Sequence, residues 1–195
     1  MKPDLKALAA QLAALEPGDR EGTARIYARM TPPPPRAGHS IEVAVGKYLE
    51  FDYEQVDAAA DQLGMLRKVH LFWDRALPAF TRAHYCGFYL DPPPAVAHLD
   101  APAYGESVHW IATNPDRGDP IECVESVGHE LTHARQRETR TAQGYADWVK
   151  EQRALHPEQS PGDEAYRRQA HEVEAREVGT LLAKAYPNMV RLRVE

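Results

Sequence analysis

Cysteine is scarce. Cys86 and Cys123 are the only two in 195 residues, too few for the disulfide framework of a small secreted scaffold and without zinc-knuckle spacing. Positive charge is not in excess either. Twenty-three Lys and Arg face 29 Asp and Glu, for a net charge of -6, which argues against a chain whose main task is to neutralise phosphates or lie on an anionic membrane. No nucleic-acid partner and no membrane partner is therefore expected. No run approaches the ~18 apolar residues of a membrane span. The opening MKPDLKALAAQLAALEPGD lacks a clean apolar signal region, being interrupted by Asp4, Lys6 and Gln11. The expected location is thus cytoplasmic, with export by a non-classical route left open. No internal repeat is visible.

What is present is ordinary for a folded chain: 43% hydrophobic and 27% charged residues, enough to build one core. We expect a single domain over 1–195. Leu5, Leu8, Leu12 and Leu15 share one helix face, Pro17-Gly18 stops that helix, and a second amphipathic segment covers 20–30. TPPPPR at 31–36 is a stiff connector. The stretch 41–63 carries two signals. IEVAV alternates like a strand, whereas Tyr48, Leu49, Val56, Ala60 and Leu63 recur at helical spacing, and we read it as mostly helix. LRKVHLFWDRALPAF, 66–80, supplies core bulk, with His70 as a packed histidine. HYCGFYL at 84–90 and SVHWIAT at 107–113 are the strand candidates. Helices are expected at 119–137, 141–155 and 163–186. The fold class is α+β and mostly helical: a helical N-terminal part over 1–83, then a small sheet and further helices over 84–195.

The chemistry sits in SVGHELTHARQ, residues 126–136. Asp119-Pro120-Ile121-Glu122 reads as a helix start, with an acceptor at the N-cap, proline in the first turn and glutamate three residues after the cap. In that frame Val124, Val127, Leu131 and Ala134 form the apolar side, and Glu122, Glu125, His129, His133 and Gln136 the opposite one. His129 and His133 lie about 40° apart around the axis and about 6 Å apart along it, so both imidazoles can reach one ion. Glu130 is turned about 100° from His129, beside such an ion without binding it. Two imidazoles that fix zinc and an adjacent carboxylate that takes a proton from water are what hydrolytic chemistry requires of this spacing. A pair of histidines decorating a solvated helix face is the competing reading.

A catalytic zinc site needs a third protein ligand. YRRQAHEVEAREVGTLLAKAY, residues 166–186, offers His171, Glu172, Glu174 and Glu177. Glu174 shares a stripe with Ala170, Val178, Leu181 and Ala185, while Glu172 and Arg176 project from the other side. A carboxylate in an apolar stripe costs several kcal/mol if buried unpaired, so it needs a cation. The ion held by the histidines is one candidate and a buried arginine another. Glu177 is the second choice of ligand.

HELTH followed by EVEAREVG resembles the gluzincin branch of zinc metallopeptidases, and HELTHARQ with a later E-x-E-A element is similar to small bacterial and phage-associated peptidase domains. The likeness spans about 107–182. It implies a zincin-like domain in which His129, His133 and Glu174 bind Zn2+, Glu130 is the general acid and base, and SVHWIAT is the edge strand that pairs with a peptide or protein substrate. Two departures stand out. Arg135 occupies a position that is usually apolar, and Val178 leaves no carboxylate four residues after Glu174 to orient a ligating histidine. The implied activity is zinc-dependent peptide hydrolysis, with Tyr166, His171 or Tyr145 as transition-state support. A catalytically silent zinc-stabilised protein-binding module and a regulatory protease with one dedicated protein substrate are the alternatives.

Overall fold

The computed structural model describes residues 40–75, 77, 81–87, 108–116, 119–140, 142–157 and 164–195. The expected N-terminal helices and the TPPPPR connector lie outside them. A hairpin comes first, β1 (Ser40–Ala44) and β2 (Lys47–Phe51), paired antiparallel. Gly46, at φ 69, supplies the left-handed turn residue that a side chain would strain. The alternation in IEVAV therefore prevails over the helical spacing read across 41–63. Only α1 (Tyr53–Gln62) is helical there, started by Asp52, whose side chain accepts a hydrogen bond from Glu54 N.

Next come β3 (Lys68–Trp73), β4 (Ala83–Gly87) and β5 (Val108–Thr113). They form a second sheet in the order β3-β5-β4, with β3 parallel and β4 antiparallel to β5. The SVHWIAT segment is thus the centre of its sheet, not an edge. Both of its hydrogen-bonding sides are taken, so a substrate strand has no access to it. The edges lie at β3 and β4. His70 is buried on β3 and stacks on Trp110 at 4.5 Å, as a packed core histidine.

The helices follow: α2 (Pro120–Glu138), α3 (Ala142–Leu155), the single turn α4 (Glu164–Arg167) and α5 (Ala170–Ala185). The expected helix over 163–186 is broken at Gln169, whose extended backbone begins α5. Gln169 makes no side-chain cap. Gln152 of α3 instead accepts a hydrogen bond from Ala170 N at 2.9 Å, so the signal for the break lies on a different helix. After α5 the chain returns as β6 (Val190–Val194), which pairs with β2 and completes a β1-β2-β6 sheet. Helices and two small sheets therefore make one α+β arrangement, mostly helical among the described residues, with β5 leading into α2. No helix of the described residues is long and apolar enough to cross a membrane.

The core lies between α2 and the sheets. Val124, Val127, Leu131 and Ala134, the apolar side read from the sequence, are all buried together with Val69, Leu71 and Ile111. A polar clamp joins the same elements at the far end of α2. Glu138 accepts backbone hydrogen bonds from Leu66 and Arg67 and lies 2.7 Å from His109 Nε2. His109 Nδ1 meets the Tyr85 hydroxyl at 3.0 Å. Burial lowers the His109 pKa from its ordinary 6.5. Burial alone would raise Glu138, but the hydrogen bond and charge of His109, the backbone hydrogen bond from Leu66 and the charge of Arg67 together outweigh it and hold the carboxyl below its ordinary 4.5. As pH drops below 6.5 the unfolded chain takes up a proton at His109 that the folded chain refuses, and below 4.5 Glu138 does the same. Each therefore contributes stability that is lost on acidification. The expected result is a urea midpoint, measured with chelator present, that falls between pH 7.5 and 5.5, and falls less in His109→Gln. An equal fall in both proteins would remove His109 as the cause.

Candidate metal centre

Asp119 caps α2 by accepting the backbone hydrogen bond of Glu122 at 2.9 Å, with Pro120 in the first turn. This sets the rotational frame in which His129 and His133 share a side. Their Nε2 atoms lie 3.0 Å apart and their rings stand nearly perpendicular, at 83°. The side chain that meets them comes from α5, and it is Glu172. Its Oε2 lies 3.4 Å from His129 Nε2 and its Oε1 3.3 Å from His133 Nε2. Among the described residues this trio is the cluster able to hold a metal ion, its ligand atoms all within 4.8 Å of one another. The arrangement is H-E-x-x-H completed by a downstream glutamate.

Glu174, the expected ligand, is elsewhere. Its Oε1 accepts from Arg135 Nη1 at 2.9 Å and its Oε2 from Gln136 Nε2 at 3.1 Å, so the arginine is the cation that this carboxylate finds. Glu177 is exposed and outside the cluster. Apolarity alone does not mark the inward face of α5. Leu181 and Ala185 are exposed, and the face of α5 turned inward is His171, Glu172, Ala175, Gly179 and Leu182. That face is built from small residues because the two helices touch backbone to backbone. A Cβ on Gly128 would meet Gly179 O at 2.8 Å, and one on Gly179 would meet His129 N at 2.7 Å. Glu172, Ala175 and Gly179, at spacings of three and four, were the legible signal of a close helix contact with a carboxylate at its end.

Charge is concentrated here. Burial would raise the Glu172 carboxyl, but hydrogen bonds with His129 and His133 hold it far below the usual carboxylate range. Burial would lower His133, but its hydrogen bond to Glu172 and the charges of Glu130 and Glu172 raise it to about 9. A site that gathers this much negative charge around two imidazoles favours a cation between them. Glu130 is buried beside the trio, and its Oε2 accepts a 2.7 Å hydrogen bond from Tyr85 N on β4.

The three support candidates all interact with Glu172. Tyr166 hydrogen-bonds Glu172. His171 is buried, with Nε2 3.6 Å from Glu172 Oε1, and burial pushes its pKa down to about 4. Tyr145 is half-buried on α3, its pKa raised by burial and by the charges of Glu172 and Glu130. Two residues that the sequence did not single out pack against these side chains. Trp148 packs edge-on to His171 at 5.5 Å, under the Arg140 guanidinium at 3.8 Å. Gln136, noted only as a polar-face residue, is fully buried and touches His133, His171 and Glu174.

No family model matches the chain, and no curated protein or solved structure matches it. The class of the site therefore rests on its own geometry.

Proposed function

We propose that the protein is a zinc-dependent peptidase acting on peptide or protein substrates. The observation that carries the reading is the convergence of His129, His133 and Glu172 with the Glu130 carboxylate alongside. Zinc suits the donor set, because bonds of about 2.0–2.1 Å in a tetrahedron leave ligand atoms about 3.3 Å apart. The separations of 3.0, 3.3 and 3.4 Å fit that edge. A zinc ion held there would polarise a substrate carbonyl and acidify a water.

The remaining work falls to the chain. Glu130 takes the proton of the attacking water and passes it to the departing amine nitrogen. Tyr85 N fixes one oxygen of that carboxylate, and Oε1 takes no hydrogen bond from the described residues. Tyr145, on α3 and near enough to Glu172 and Glu130 for their charges to raise its pKa, is the first choice of hydroxyl donor to a developing oxyanion. Purified protein should carry about one zinc per chain by elemental analysis. It should cleave unfolded casein, with loss on chelation and return on adding zinc. Metal-free protein that binds no zinc on titration would end the proposal.

A further inference from the structure

Gln136 faces the metal centre without belonging to the triad, and its hydrogen bonds leave its amide one orientation. The backbone oxygen of His171, at 2.9 Å, and the carboxylate oxygen of Glu174, at 3.1 Å, both lie against one end of the side chain. Neither atom can donate, so the NH2 group must be at that end. The carbonyl oxygen is then the end that meets His133 Nδ1 at 2.9 Å. A carbonyl oxygen accepts only, so Nδ1 must carry the proton. In the neutral ring this leaves the lone pair on Nε2, the atom aimed at His129 and Glu172. The far end of the chain of bonds is also held. Arg135 binds Glu174 through Nη1 and the Leu63 carbonyl through Nε.

We infer that Gln136 is a positioning residue for the metal centre: anchored by Glu174 and the His171 carbonyl, it selects the His133 tautomer that can ligate through Nε2. This rests on the metal-centre reading of the site. It also explains two departures noted in the sequence. No carboxylate four residues after the ligand is needed, because the orienting acceptor comes from α2 itself, three residues after His133. Arg135 takes a usually apolar place because it terminates this chain of bonds.

Two variants separate positioning from mere packing. Gln136→Leu keeps the volume and removes the acceptor. Gln136→Glu keeps an acceptor for Nδ1 but sets a second carboxylate against Glu174. Both should melt lower than wild type. Zinc affinity, measured on folded protein by competition with a chromophoric chelator, should fall about 10–100-fold in Gln136→Leu and stay within about threefold in Gln136→Glu. A Gln136→Leu protein that binds zinc like wild type overturns the inference, as does a loss of affinity in both variants that tracks melting temperature. Nitrogen-15 NMR of zinc-loaded wild type decides the matter even if Gln136→Leu does not fold. The inference requires His133 to coordinate through Nε2 with a protonated Nδ1, and coordination through Nδ1 would refute it. Wild type that takes up no zinc is a different result, and it removes the metal-centre reading itself.

Discussion

Glu130→Gln retains zinc and loses hydrolysis, whereas Glu172→Gln loses both: this is the expected outcome of exchanging the two carboxylates that flank the imidazole pair. Glu130 is adjacent to the triad but outside it. Its amide isostere can still accept the hydrogen bond from Tyr85 N and cannot take a proton from water. The rate should drop roughly 10²–10⁴-fold with zinc content unchanged. Glu172 is different in kind, being among the described residues the one carboxylate within 3.3–3.4 Å of both Nε2 atoms. Its substitution removes a ligand and should weaken zinc by more than the about 10–100-fold typical of outer partners. Glu174→Gln is the informative control. Its carboxylate is spent on Arg135 and Gln136, so the loss should stay within about tenfold. The measurements are zinc by elemental analysis after dialysis and initial rates on casein. A Glu174→Gln protein that loses zinc while Glu172→Gln keeps it would reverse the ligand assignment. A Glu130→Gln protein whose wild-type parent also shows no cleavage would favour the zinc-stabilised binding module.

The second large effect is expected from a single methyl group. Gly179→Ala places a Cβ 2.7 Å from His129 N and 3.0 Å from its Cα. Both are helix backbone atoms, which cannot move aside as a flexible side chain can. The helices must separate, at a cost of about 1–3 kcal/mol or more, and the separation carries Glu172 away from His129 and His133. Stability and zinc affinity should therefore fall together. Gly128→Ala meets Gly179 O at 2.8 Å and should behave alike, but the double variant should cost less than the sum, because one displacement relieves both clashes. Gly64→Ala is the comparison. At φ 68 it is strained, yet nothing lies within 4 Å of its added carbon, so it should lose about 1–2 kcal/mol and no zinc affinity. Chemical denaturation and chelator competition on the four proteins test this. Wild-type zinc affinity in Gly179→Ala would mean that the helix contact does not set the site.

The helix that carries His129 and His133 was readable because each of its determinants is local. The Asp119 cap, Pro120 and the apolar repeat lie within its own residues, and the helix begins and faces as they imply. Glu172 was not read because its determinant is a meeting of two helices. Ala175 and Gly179 look weak on a hydrophobicity scale, yet they are what lets the backbones touch. Apolar size pointed to Leu181, which faces solvent at 63% exposure. The break before α5 was hidden for a related reason, since Gln152 on α3 supplies the missing acceptor. Across β1 and β2 the alternation of IEVAV is masked, because Tyr48, Leu49 and Val56 mimic a helical repeat across what is in fact a strand-to-helix boundary. β6 carries its own signal in the alternation of VRLRV, directly after the long helix. The position of SVHWIAT within its sheet could not be read, since strand order depends on partners distant in sequence.

Between His133 and Glu172 the chain leaves the two-helix contact, runs through α3 and α4, and comes back. Among the described residues of that excursion none belongs to the ion-holding trio, but Tyr145, Trp148 and Tyr166 all lie on it. The histidine pair with its glutamate and the aromatic side chains beside them thus come from different stretches of polypeptide. With Tyr166 and Gln152 kept, because they hold Glu172 and the start of α5, an exchange of Tyr145 and Trp148 should redirect preference for what is bound while leaving the inorganic affinity in place, which makes these two positions the natural ones to diversify when a new specificity is sought.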